Sequence, residues 1–227
     1  MRIAVVGGMG AVAQEVVAQA LECGHLISWM ISPADQLPDA SLETDYTQVL
    51  HIVRSPWDSE SEYVALLSSC DAVIVALDIH STDPSHFVPI QRLVQKAMRS
   101  RKVHRIILIT AHGSGESSRQ LDWELWLRIN VNQLAYSLFG VRALCWSIAA
   151  QYSEQERVLE QSGLKYTILR PASVVDGPTT GTYLASPSHI YGGYISAGDV
   201  ADCALKALDN EMDISQAFSI AYSSRVA

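Results

Sequence analysis

Residues 1–25 read MRIAVVGGMGAVAQEVVAQALECGH. The apolar run Ile3-Ala4-Val5-Val6 ends at Gly7, and Val12, Val16, Val17, Ala20 and Leu21 then recur at helical spacing until Gly24 stops them. The pattern predicts a strand, a glycine turn and a helix. Inside it, Gly7-Gly8-Met9-Gly10-Ala11-Val12-Ala13 has the spacing G-x-x-G-x-x-A. In a strand-turn-helix unit such a loop lets a pyrophosphate rest on the helix N-terminus, with Gly7 for the tight turn, Gly10 for close backbone approach and small Ala13 for packing of helix on strand. A glycine-rich turn that binds nothing is the alternative, and the structural context favours the nucleotide.

Working outward, further apolar runs occupy Leu26–Ile31, Val49–Val53, Asp71–Leu77, Arg105–Thr110 and Tyr166–Leu169, and Ala217–Tyr222 closes the chain as a strand. Nearly continuous apolar strands separated by helical stretches predict an α/β fold, a doubly wound parallel sheet covered on both faces. Pro84–Ser100 predicts a helix with proline near its start and Arg99, Arg101 and Lys102 at its end, as the helix dipole prefers. Two aromatic-rich helical segments are expected over about 119–139 and 142–162. A turn-rich segment follows over 170–193, and a last helix opens at Gly198-Asp199.

At 227 residues the chain is expected to form one domain, 1–227, with 113–150 and 174–195 covering a substrate. A net charge of -8 leaves no basic excess for a nucleic-acid backbone, so a small molecule is the expected partner. Cys23, Cys70, Cys145 and Cys203 are scattered, with no C-x-x-C pair and no zinc spacing, and read as reduced thiols with no metal. No stretch reaches the length of a membrane span and no apolar leader precedes Gly7, so a soluble cytoplasmic protein, monomer or homodimer, with no membrane partner, is expected.

The stretch Glu156-Arg157-Val158-Leu159-Glu160-Gln161-Ser162-Gly163-Leu164-Lys165-Tyr166-Thr167-Ile168-Leu169-Arg170-Pro171 resembles the E-x-x-L-x-x-S-G-L-x-Y-T-I-L-R-P segment of the atypical short-chain dehydrogenases with NmrA-like, NAD(P)-binding domains. Asp176–Tyr183 and Ile195–Ala201 resemble that family's next two signatures, and the likeness runs from Arg2 to about Tyr222, nearest to the biliverdin-IXβ reductase/flavin reductase type. The resemblance implies a Rossmann-type sheet binding NADP(H), with NAD(H) as the other candidate. It places Gly7, Met9, Gly10, Ala11 and Val12 at the pyrophosphate, and Leu77, Asp78 and Ile79 along the cofactor. Thr110 and Ala111 would flank the nicotinamide, with Pro171, Ala172 and Ser173 on its other side.

The departures from the family bear on the chemistry. Where the family has an arginine after strand two for the 2′-phosphate, this chain has Ser32, and no Asp or Glu ends that strand to take the ribose hydroxyls. Arg54, after strand three, is either a displaced phosphate clamp or a solvated loop arginine. The Y-x-x-x-K pair falls on Ile148 and Tyr152, and the serine and histidine of the biliverdin reductase type fall on Ala111 and Ser173. His112, Tyr152 and Ser173 remain as catalytic candidates, with Ser114, Asp176, Tyr183 and His189 nearby, because a histidine past a strand end can titrate near neutral pH and a phenol can exchange a proton.

Trp123, Trp126, Tyr136, Phe139 and Trp146 crowd the stretch 120–146, holding three of the five tryptophans, with Arg128, Asn130 and Asn132 interleaved. They read either as walls for a flat apolar substrate, with Tyr183, or as packing and a dimer face. The first functional reading is an NADP(H)-dependent reductase of a flat, conjugated molecule, flavin-, quinone- or enone-like, in a setting such as secondary metabolism. The alternatives are a non-redox isomerase or cyclase on the same scaffold, and an NmrA-like dinucleotide sensor.

Overall fold

Strand β1 (Arg2–Val6) shows why the sheet is buried on both sides: Ile3 and Val5 enter one apolar cluster and Ala4 and Val6 the other. The computed structural model describes residues 1–37, 48–79, 82–112, 114, 142–187, 190, 193–209 and 214–223. Among these, β1 is followed by α1 (Ala11–Glu22), β2 (Leu26–Ile31), β3 (Leu50–Arg54), α2 (Glu60–Leu66) and β4 (Ala72–Val75). A 3-10 turn at Pro84–His86 leads into α3 (Phe87–Arg101), then β5 (Arg105–Ile109), α4 (Arg142–Glu160) and β6 (Lys165–Pro171). The last elements are β7 (Ser173–Val175), β8 (Leu184–Ser186), β9 (Tyr194–Ser196), α5 (Ala197–Asp209) and β10 (Gln216–Ala221).

The main sheet runs β3-β2-β1-β4-β5-β6-β10-β8, parallel except for β8, which pairs antiparallel with β10. This is the doubly wound Rossmann-type order, and the chain reverses its winding between β1 and β4, where such sheets open a crevice at their carboxyl ends. One apolar cluster packs α1 and α5 on one face, through Val16, Val17, Val200 and Ala204. The other packs α2, α3 and α4 opposite, through Tyr63, Leu66, Ile90, Val94 and Leu159. Among the described residues no helix is long and apolar enough to cross a membrane, and no group of side chains could hold a metal ion.

Two features depart from the sequence expectations. Helix α2 was not anticipated, because seven residues with two buried positions carry too little periodicity to register. The segment expected as turns, 170–193, contains β7 and β8, and β7 pairs in parallel with β9 in a separate two-stranded sheet. Three-residue strands carry no alternation to read; tertiary hydrogen bonds create them. The expected helix over 119–139 lies outside the described residues.

Candidate active site

The glycine loop is shaped by what lies against it. Gly8 carries the positive φ of the turn, 61°, so the tight turn assigned to Gly7 belongs to its neighbour. Gly7 is glycine because a Cβ there would sit 2.5 Å from the Ala76 carbonyl oxygen and 2.9 Å from the Ala13 Cβ. Small Ala13 therefore does let α1 pack onto the loop. A Cβ on Gly10 would come within 2.6 Å of Asp78 Oδ2, so an acidic side chain from the end of β4 occupies the close approach assigned to a pyrophosphate. Gly10 is the N-cap of α1, and no acidic residue lies in the helix's first turn. The dipole end thus faces the crevice with Asp78 beside it.

A cleft of about 850 Å³ opens over the carboxyl ends of the central strands. Ala11 and Val12 of α1 form one end; Ala76–Ile79 after β4, Ile109–His112 after β5 and Pro171–Asp176 after β6 form the floor and far wall; Ile148 and Tyr152 of α4 stand behind. Ile79, Val174 and Val175, each about two-fifths exposed, line its mouth. The residues expected along a cofactor, Leu77, Asp78, Thr110, Ala111 and Pro171, are thus brought together with the catalytic candidates His112, Tyr152 and Ser173. Met9 instead packs against the core on the α1 side.

Beneath the floor lies a buried polar network that the sequence reading did not assemble. Glu156 of α4 accepts from Arg170 Nη2 (2.7 Å) and Nε (3.1 and 3.2 Å), with side-chain exposures of 2% and 7%. The hydroxyls of Thr110 (2.7 Å) and Ser114 (2.6 Å) donate to the same carboxylate. Each bond to the ion is stronger than a neutral one, and together they satisfy a charge whose burial would otherwise be costly. The network fixes both ends of the turn carrying Ala111 and His112, and the His112 amide donates to Pro171 O at 2.7 Å. The signal was available: Glu156 sits on the apolar face of α4, beside Tyr152 and Leu159, where a charge demands a partner.

Tyr152 is buried, stacked at a tilt on Phe87 with ring centroids 5.1 Å apart, and its hydroxyl donates to Leu77 O at 3.2 Å. Burial pushes its phenol well above the usual range, and the nearby charge of Asp78 adds to that. It is a neutral wall with its proton committed to the backbone, so the proton-exchanging role considered for it loses support.

At the adenosine end, Arg54 is the register partner of Ile31 and its Nη1 donates to Asp35 O at 2.8 Å. Asp35 in turn accepts from the Ser32 amide at 2.8 Å, and Ser32 Oγ accepts from Ala34 N at 3.3 Å. Ser32 and Arg54 are therefore both tied to Asp35. An acid is present too, four residues beyond the strand, where a reading confined to its last residue missed it.

Tyr183 is not among the residues lining the cleft: its hydroxyl donates to Asp202 of α5 at 2.7 Å and Lys206 lies 5.7 Å above its ring. It fastens β8 to α5, which corrects its assignment as a substrate wall. Asp176 lines the cleft, whereas Ser114 lies below it in the Glu156 network. Trp123, Trp126, Arg128, Asn130, Asn132 and His189 lie outside the described residues, as does the Trp146 side chain.

Comparison with known proteins agrees with this layout. The sequence model of a family described as NAD(P)H-binding matches residues 7–211. The uncharacterized sugar epimerase YhfK of Bacillus subtilis is 24% identical over 226 residues, covering 97% of this chain and 94% of that protein. Among solved structures, the anaerobillin reductase ChuY of Escherichia coli O157:H7 superposes with a TM-score of 0.74 at 18% identity, covering 100% of this chain and 99% of that one. A wide-type short-chain dehydrogenase/reductase from Veillonella parvula, solved with NADP, gives 0.73 at 15% identity, covering 98% and 95%. At such identities the structural likeness shows the fold.

Proposed function

Because the chain belongs to the NAD(P)H-binding family, we propose that it is an NADP(H)-dependent reductase of a flat, conjugated small molecule. The observation that carries the reading is the cleft itself: about 850 Å³, apolar through Leu77, Ile109, Ala111, Ile148 and Pro171, and bounded at one end by the N-terminus of α1. Among the described lining residues apolar side chains outnumber polar ones, which suits a planar hydrophobic acceptor better than a sugar. The epimerase name of the Bacillus relative therefore finds little support in this lining.

The residues present fit a dinucleotide. Gly10 is the N-cap of α1, Ala11 and Val12 line the cleft there, and a diphosphate on this helix end would need the Asp78 side chain beside Gly10 to turn aside. Arg54, exposed beside Ser32, supplies the cation for a 2′-phosphate, which favours NADP(H) over NAD(H). When bound, the nicotinamide supplies a hydride. The chain's own residues do the rest. Thr110 and Ala111 on one side and Pro171 to Ser173 on the other form a slot held rigid by Glu156 and Arg170, which provides orientation without acid catalysis. Tyr152 closes the back and excludes water. His112 is the one imidazole among the described lining residues and stands where it can hold or pass a proton to substrate.

The test is anaerobic mixing of the purified protein with NADPH and menadione or riboflavin, following loss of the nicotinamide absorbance. Turnover is expected with NADPH, slower with NADH, and reduced roughly 10–100-fold by His112→Ala if that imidazole handles the proton. NADPH binding without turnover on any quinone, flavin or enone would favour a sensor instead.

A further inference from the structure

We infer that the cleft selects an uncharged or cationic planar substrate and rejects an anionic one; the inference takes the position of the substrate from the reductase reading above. Among the described residues lining the cleft the charged side chains are Asp78 and Asp176, and none is Lys or Arg. They flank the floor, Asp78 after β4 and Asp176 after β7, with the end of β5 between them. Arg170, the cation next in sequence to the floor, is turned under it and bound bidentately by Glu156.

A carboxylate or phosphate on the substrate would lose its hydration against Ile109, Ala111, Ile148 and Pro171 with no cation among these residues to replace it. It would also meet the like charge of Asp176. The diphosphate of a bound dinucleotide adds further negative charge at the α1 end, and the whole chain carries -8. A neutral ring system incurs none of these costs, and a cationic one gains Asp176 at the mouth.

Riboflavin and FMN test this, because they share one ring system and differ by a phosphate. Their affinity is measured by flavin fluorescence anisotropy on protein loaded with NADP, which cannot reduce them, loading being checked by tryptophan fluorescence. Riboflavin is expected to bind at least about tenfold more tightly at low salt, and the ratio should shrink as salt rises. Asp176→Asn should improve FMN more than riboflavin, narrowing the ratio about threefold. FMN binding as tightly as riboflavin would overturn the inference. A ratio that neither salt nor Asp176→Asn changes would also overturn it, as a steric effect. Binding of neither flavin overturns the inference alone, because menadione turnover would still support the reductase reading. Riboflavin bound, with no quinone, flavin or enone reduced by NADPH, overturns the reductase reading alone, and failure of NADP to load overturns both.

Discussion

Gly7 and Gly10 are both glycines for lack of room, yet their neighbours differ, and so should the consequences of filling that room. A methyl at Gly7 meets backbone, the Ala76 carbonyl at 2.5 Å, which cannot move without breaking the β1–β4 register. Gly7→Ala should therefore destabilise the apo protein by about 1–3 kcal/mol, read from urea denaturation. A methyl at Gly10 meets the Asp78 carboxylate, a side chain that can rotate away. Gly10→Ala should leave stability nearly intact and weaken NADPH binding by roughly tenfold or more, since the methyl stands in the approach of the diphosphate. Asp78→Ala in the Gly10→Ala background separates the methyl from the displaced carboxylate: no recovery of binding is expected, and recovery would mean that the displaced Asp78 blocked the cofactor. The spacing of the glycines was legible in the sequence, but what each glycine faces was not. Asp78 reaches Gly10 only because β4 lies beside β1, a pairing across about seventy residues that no local pattern records.

Among the elements, β7 forms part of the far wall of the cleft, β9 pairs with it, and α5 follows directly from β9. Ser196 caps α5, its hydroxyl accepting from the Asp199 amide at 3.1 Å. The Asp199 carboxylate accepts from the Thr180 amide and hydroxyl (2.8 and 2.7 Å), the Gly181 amide (2.8 Å) and the Tyr222 hydroxyl (2.5 Å). Burial would raise its pKa, but the Tyr222 and Thr180 hydroxyls and the two amides outweigh burial and hold it below the usual carboxylate range. A carboxyl depressed in the folded state contributes stability above its unfolded value, about 3.9, and loses it as pH falls through the folded value. Asp199→Asn should thus lower stability by about 1–3 kcal/mol from pH 5 to 8, and the gap to the unaltered protein should close below about pH 4. A gap independent of pH would show that the charge is not what holds the turn. The sequence reading placed Gly198-Asp199 at a helix start and expected turns before it. What turns that segment into strands is this carboxylate drawing 180–181 and Tyr222 together, at separations of 18 to 23 residues. The central strands β1, β4 and β5, by contrast, were readable because they are buried on both faces and so nearly continuously apolar.

Over the whole molecule, one cleft is lined from α1 near the start of the chain to Gly193 near its end, by residues following β1, β4, β5 and β6. A ligand filling it contacts segments that pack on both apolar clusters, so its binding energy should stabilise the fold as one unit rather than one half of it. With NADPH at 100 times its dissociation constant the gain is about 2.7 kcal/mol, which for a chain of this length raises Tm by roughly 5–10 °C in a single transition. Cofactor choice can be read from the same experiment. Arg54 is positioned by the pairing of β2 with β3 and by Asp35 O, and is not among the residues that line the cleft with His112 and Tyr152. Its loss should therefore leave the fold and the nicotinamide end untouched while removing the partner of the 2′-phosphate. At equal concentrations NADPH should raise Tm more than NADH, and Arg54→Ala should cut the advantage by about 1.4 kcal/mol, a tenfold change in affinity. If the variant responds to NADPH as the unaltered protein does, Arg54 is a solvated loop residue. If NADH is then the stronger stabiliser of both proteins, Asp35 holds the ribose and the cofactor is NAD(H).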